Sequence, residues 1–219
     1  MNFKYYILLP VVWVCLCFPS DALGQYIKKE TVNGQSYAVI YAEGLAGSAQ
    51  WDLGYNMMRN RATIRHQVSR GNGGNPSVNG RIPFRFIVAP TDIINVTWIE
   101  AAGVTDGNGN MLPNFSQVVS TGGCSNYDSG TLPGGSKRQW RVPTQRELQL
   151  MWLFREPIGI VYNTAKMEPN SGDTSSKKYW ASTEYSGTEA WYFDFKRGEP
   201  GCSWQLKTTS GNVRCVSDY

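Results

Sequence analysis

From Thr144 onward the apolar positions recur at helical spacing. Leu148, Met151 and Trp152 stand at i, i+3 and i+4, which places one face of a helix in a core. Thr144 followed by Glu147 forms a capping box, each side chain satisfying a backbone N–H at the helix start. Pro143 just before the cap and Leu148 four residues after it hold the positions of a hydrophobic staple. Pro157 disfavours helical geometry at Glu156, so the pattern predicts a helix of about three turns ending there.

Elsewhere the period is two. Phe84–Val88 alternates and is rich in β-formers, which predicts a strand. Thr97–Ala102 follows, then a glycine-rich turn region through Gly109. Tyr179–Glu184, Ala190–Phe195 and Val213–Val216 are further strand candidates, with Trp191, Phe193 and Phe195 sharing one face. Asn33-Gly34 is a type I′ turn signal between Tyr26–Val32 and Gln35–Tyr41, predicting a hairpin. Gly44, Gly47 and Gly54 then interrupt any regular pattern, and residues 71–80 read as an exposed loop or linker. There is neither an internal repeat nor a heptad.

The first stretch has a different meaning. Lys4 followed by the apolar run Tyr5–Phe18 and by Ala22-Leu23-Gly24 reads as a secretory signal cleaved before Gln25. The run is too short to span a bilayer. Cys15 and Cys17 raise the alternative of a lipoprotein, but Trp13 stands where lipoprotein signals carry small residues. The expected location is therefore secreted: periplasm, cell surface or extracellular space, with no transmembrane segment. Of five cysteines, Cys124, Cys202 and Cys215 lie beyond the signal, and in an oxidising compartment that odd count predicts one bridge and one leftover thiol. Zinc is not expected, since no C-x-x-C occurs and His66 is the only histidine. The net charge of +4 is scattered, with no basic stripe to argue for nucleic acid. Arg59, Arg61, Arg65 and Arg70 around His66 read as a solvated face.

The second half has a family resemblance. Trp98-Ile99-Glu100-Ala101, Cys124, Trp140-Arg141-Val142-Pro143-Thr144-Gln145-Arg146-Glu147-Leu148, Tyr179–Glu184, Ala190–Gly198 and Val213-Arg214-Cys215-Val216 come in a characteristic order. In that order they resemble the C-terminal domain of Lcl-type collagen-like adhesins and the Fibrobacter-type major paralogous domains, an arrangement similar also to secreted fimbrial minor subunits. The resemblance covers residues 82–219. It implies an α+β, C-type-lectin-like domain: two helices on small twisted antiparallel sheets with long loops. The expected organisation is a signal peptide (1–24), a short β-rich N-terminal region (25–81) and the lectin-like domain (82–219). In that fold Val213–Val216 returns beside Phe84–Val88, and a Cys124–Cys215 bridge ties the region before the second helix to the last strand. A hairpin turning at Ser210-Gly211 would set Cys215 opposite Leu206 and leave Cys202 about 13 Å away, unpaired.

Candidate chemistry is sparse. Glu168-Pro169-Asn170 with Asp173 matches the calcium-and-sugar triplet of mannose-type lectins, whose oxygens suit that ion. Here it precedes the strand that it should follow, so no metal site is expected. Cys202 and Cys215 nominally supply the thiol pair of a formylglycine-generating-type, copper-dependent oxidase, the alternative function, but that family's glycine- and arginine-rich signatures are missing. Nothing like G-x-S-x-G accompanies His66. Glu184 and Asp194 read as solvated strand positions. The reading is a non-enzymatic cell-surface or adhesion module with no cofactor and no catalytic residue. Its partner is an unidentified glycan or protein, or the subunits of a fimbria, in which it would be a minor tip subunit. Binding is expected on the irregular stretches Lys166–Lys178 and Lys196–Trp204, through Asn170, Asp173, Arg197 and Trp204. An inward-facing Trp204 in the core is the competing assignment.

Overall fold

The computed structural model describes residues 24–32, 34–46, 58–59, 63–64, 85–102, 104–105, 117–118, 123–124, 127, 140–164, 167, 177–185, 188–196 and 200–219. In chain order its elements are β1 (Tyr26–Val32), β2 (Gln35–Tyr41), β3 (Met58–Arg59), β4 (Thr63–Ile64), β5 (Arg85–Val88), β6 (Ile93–Val96) and α1 (Trp98–Ala102). There follow β7 (Val104–Thr105), β8 (Gln117–Val118), α2 (Gln145–Leu153), α3 (Arg155–Tyr162), β9 (Lys178–Glu184), β10 (Glu189–Asp194), β11 (Gly201–Leu206), β12 (Gly211–Val213) and β13 (Val216–Asp218). The class is α+β, with few helices and several sheets. The signal segment, apart from Gly24, lies outside the described residues, as do His66 and the arginines around it, except Arg59 in β3.

The expected N-terminal hairpin forms with seven opposed pairs, from Tyr26↔Tyr41 to Val32↔Gln35. Gly34 takes φ +81°, a conformation the turn requires and other residues rarely adopt. β2 then pairs with β5, and β5 with β13, giving the antiparallel order β1-β2-β5-β13. The runs 38–42 and 86–89 are apolar at every position because both faces of this sheet are covered. Ala38, Ile40, Phe86 and Val88 meet Leu148, Met151 and Ile158 on one side. Val39, Tyr41, Ile87 and Ala89 join a core holding Trp98, Trp140 and the two cysteines Cys124 and Cys215 on the other.

A second sheet has the order β11-β10-β9-β12-β6, in which β12 runs parallel to β9 and antiparallel to β6. Two buried indoles brace it. Trp98 Nε1 donates to the Ala181 carbonyl at 2.7 Å, and Trp180 Nε1 donates to the Val96 carbonyl at 3.0 Å. Gly211 lies against the second of these: a Cβ there would sit 2.8 Å from Trp180 Nε1. The segment expected as one strand, Val213–Val216, is two. β12 ends at Val213, Arg214 and Cys215 turn between the sheets, and Val216 begins β13 opposite Val88.

The capping box is present as read. Thr144 Oγ1 accepts from Glu147 N–H at 3.1 Å, and Glu147 Oε2 accepts from Thr144 N–H at 2.8 Å. Replacing Thr144 with alanine should therefore lower stability by ~1 kcal/mol in a denaturant titration. An unchanged midpoint would mean the cap adds nothing in the folded domain. Past the cap, Leu148 and Met151 are fully buried, and Trp152 meets Phe195 edge-on at 5.5 Å. The helix end differs from expectation. α2 stops at Leu153, Phe154 breaks the geometry, and α3 runs straight through Pro157 to Tyr162. Pro157 is the third residue of α3, where its missing N–H is one that a helix start leaves unpaired anyway.

Arg141 adds a long-range link. Its guanidinium grips Glu147 through two bonds, Nη1–Oε2 at 2.8 Å and Nη2–Oε1 at 2.6 Å, and reaches Asp218 Oδ1 from Nη2 at 2.7 Å. Arg141 and Glu147 are both buried. Burial by itself would lower the Arg141 pKa, but the charges of Asp218 and Glu147 more than reverse that and raise it. The helix start and β13 are thus joined through one cation.

Candidate functional site

An aromatic shelf occupies the β11 end of the five-stranded sheet. Trp204 on β11 lies directly opposite Trp191 on β10, and Tyr185 closes the end of β9 by donating its N–H to the Glu189 carbonyl. The Tyr185 ring stacks on the Trp204 indole, with centroids 4.4 Å apart and planes 10° from parallel. Trp191 meets both edge-on, 5.4 Å from Trp204 and 5.5 Å from Tyr185. These offset and perpendicular arrangements are the ones that ring quadrupoles favour.

Period-two patterning explains the shelf's position. Phe195 is fully buried, Phe193 is buried, Trp191 is half-buried and Trp204 is 44% exposed, so one sheet face grades from core to solvent. The inner end is fixed by Phe195, which touches Tyr179 at 4.6 Å and Trp152 at 5.5 Å. An exposed indole is thereby held on a rigid base. Across the sheet, the Lys178 ammonium lies 4.9 Å from the Tyr192 ring centroid.

Trp204 is not in a loop. The stretch Lys196–Trp204 was expected to be irregular from its Gly, Pro and Ser content, yet Gly201–Leu206 pairs residue for residue with β10. An edge strand tolerates Gly and Ser because its ladder bonds, rather than its side-chain packing, hold it. Nor does Trp204 belong to the core. Arg197, Asn170 and Asp173 fall outside the described residues, together with Glu168-Pro169-Asn170 and most of the Lys166–Lys178 stretch.

Cys124 and Cys215 are bonded, with Cα atoms 5.5 Å apart, and both are fully buried. The hairpin register offered for that pairing is not found. Cys215 does not face Leu206, because β11 pairs with β10 while β12 crosses to the far side of β9. Lys207 makes the crossing: it is buried, its ammonium stands 4.8 Å from the Trp98 ring centroid, and its carbonyl accepts from Trp98 N–H. Cys202, on β11 opposite Phe193, is a free cysteine. Although the residue as a whole is exposed, its thiol lies against α2. There burial raises its pKa and a hydrogen bond with Gln149 opposes the shift.

Two polar clusters went unread in the sequence. Asp92 accepts from Arg214 Nη1 at 3.0 Å and from Tyr179 Oη at 2.9 Å, pinning the segment before β6 to β9 and to the β12–β13 turn. Burial, and after it the Asp92 charge, raises the Tyr179 phenol. In the four-stranded sheet Glu30 on β1 accepts from Tyr219 Oη at 2.6 Å and from Tyr41 Oη, and the Tyr41 phenol is pushed up to about 12 by burial and Glu30. Both clusters hold strands together, although Nε and Nη2 of the Arg214 guanidinium are buried without a hydrogen-bond partner.

The model of one family, the Lcl C-terminal domain, matches residues 95–217. No curated protein matches the sequence. The matched span takes in Cys124, the capped helix, all three shelf residues and Cys215, and leaves the β1–β2 hairpin outside. Since it covers more than half of the 219 residues, the chain belongs to the Lcl C-terminal domain family.

Proposed function

We propose that this protein is an exported, non-enzymatic adhesin-like module that engages a glycan or protein surface through the Tyr185–Trp191–Trp204 shelf. The observation that carries the reading is the exposed Trp204 indole, stacked on Tyr185 and braced from behind by Trp191. A pre-ordered ring loses little conformational entropy on binding, and Trp and Tyr dominate interface energetics for that reason. Family membership supports the adhesin-like role. The buried Cys124–Cys215 disulfide supports export, since such bridges persist in oxidising compartments. Among the described residues, no helix is long and apolar enough to cross a membrane.

The C-type-lectin-like arrangement is part of this proposal. The pairing of β5 with β13 and the two consecutive helices packed on small sheets support it. A place in a fimbria rests on the sequence resemblance alone. The non-enzymatic part is supported by the state of Cys215: joined to Cys124, it does not offer a thiol beside Cys202 for copper.

A glycan array and a pull-down of surface proteins, each run with wild type and Trp204→Ala, test the reading. Loss of the indole should weaken binding by roughly 30-fold or more, a hot-spot effect. The melting temperature should fall only slightly, because the residue is nearly half exposed. Binding that survives the substitution would reject the shelf, and a collapse of stability would make Trp204 a structural residue.

A further inference from the structure

We propose that Gln25, freed by export as the first residue of the mature chain, closes on itself to pyroglutamate, and that this blocked terminus shields β1 from exopeptidases. This rests on the export proposed above, with cleavage after Ala22-Leu23-Gly24.

Cleavage there gives the new α-amino group a partner in its own residue. An α-amine has a pKa of about 7.7–8.0, so part of it is neutral and nucleophilic near neutral pH. Its nitrogen attacks Cδ of the same side chain. The N–Cδ bond forms, the Cδ–Nε2 bond breaks, and ammonia leaves with the proton that the amine gives up. No oxidant, cofactor or second substrate is consumed. The ring runs through N, Cα, Cβ, Cγ and Cδ, a size free of strain, and both reacting groups sit on one residue, so the step has the advantage of an intramolecular reaction. Asparagine would have to close a smaller, strained ring, and a glutamate carboxylate has no comparable leaving group. The chemistry is therefore particular to glutamine at this position.

The fold leaves the reaction unhindered. Gly24 and Gln25 are both exposed and precede the ladder, whose outermost pair is Tyr26↔Tyr41. Strand pairing fixes Tyr26 and leaves Gln25 outside it.

The fold also gives the lactam a use. Gln25 is the only residue between the new terminus and β1, an edge strand. Tyr26 stacks on Tyr41 with ring centroids 4.7 Å apart, and its hydroxyl donates to Glu43 at 3.2 Å. The Lys28 ammonium lies over both rings, 5.3 Å and 5.1 Å from their centroids. An aminopeptidase starting from a free amine would remove Tyr26 at its second cut, and the stack and the Glu43 bond with it. A lactam offers no α-amine to recognise, so trimming does not begin.

The intact mass of the protein secreted by an exporting host, read before any digestion, should equal that of the chain from Gln25 less one ammonia. Its tryptic peptide Gln25–Lys28 should resist amine-reactive labelling until pyroglutamyl aminopeptidase removes the first residue. The same start with the ammonia retained and the amine labelled overturns the proposal and leaves export intact. A retained signal, or a lipid on Cys15 or Cys17, overturns the export reading and this proposal together. Gln25→Ala, confirmed by mass to start at residue 25, cannot cyclise and tests the protective role. Incubated with a broad-specificity aminopeptidase, it should lose residues 25 and 26, whereas the wild type loses none. If the variant is trimmed no faster than the wild type, β1 protects itself and the shielding role is overturned.

Discussion

Removal of the disulfide through Cys124→Ala/Cys215→Ala is expected to lower unfolding stability by ~4–5 kcal/mol. The two cysteines are 91 positions apart, and both side chains are fully buried beside Trp98 and Trp140. Without the bond the unfolded chain recovers the entropy of a loop of that length, which is the larger part of the effect. Reduction of the wild-type protein should give a similar loss, measured by denaturant unfolding with and without thiol. A difference below ~1 kcal/mol would mean that the unfolded chain already keeps these two segments close, so that the bond constrains little.

Glu147→Gln is expected to cost ~3–5 kcal/mol, because it leaves the Arg141 guanidinium buried with only the partly exposed Asp218 to balance it. For a chain of this size that is a drop of roughly 10 °C in melting temperature. The amide oxygen can still accept from Thr144 N–H, so the loss reports the charge and not the cap. The paired replacement Arg141→Met/Glu147→Leu should recover much of the stability, since it removes both charges at once. If the single and paired variants unfold alike, the charge-pair explanation fails and the site's stability comes from packing.

Much of the local structure was legible because its code is local. A capping box lies within four residues, and both faces of β10 follow from its alternation. The same code marks Thr97 and Glu100, where Thr97 N–H and Oγ1 each donate to Glu100 Oε2 at 2.8 Å at the start of α1, though this one went unread. What resisted reading depends on distant partners. Glu147 was recognisable as a cap, but its ion partner Arg141 also required Asp218, which lies 77 positions further on. The composition of Gly201–Leu206 suggests a loop, and only the free edge of β10 makes it a strand. The hairpin β1–β2 was readable, whereas its attachment to β5 was not, since a continuous apolar run does not name the strand it will pair with. Of the candidate site, Trp204 was nameable as a candidate contact, but its support was not. Tyr185, Trp191 and Trp204 meet only after β9, β10 and β11 have assembled.

The order of the first sheet has a consequence for how the molecule forms. β5 lies between β2 and β13, and its partner Val216 stands well over a hundred positions beyond Val88. A chain delivered from its N-terminus presents the hairpin and β5 long before β13 arrives. Until then one edge of that sheet, with Phe86, Ile87 and Val88, is open to any other strand. Distant pairings of this kind slow folding and lengthen the exposure of unpaired edges. The disulfide cannot close earlier either, because Cys215 immediately precedes β13. Folding yield should therefore depend on how quickly synthesis finishes, and on chaperones that shield a half-built sheet while it waits for its fourth strand.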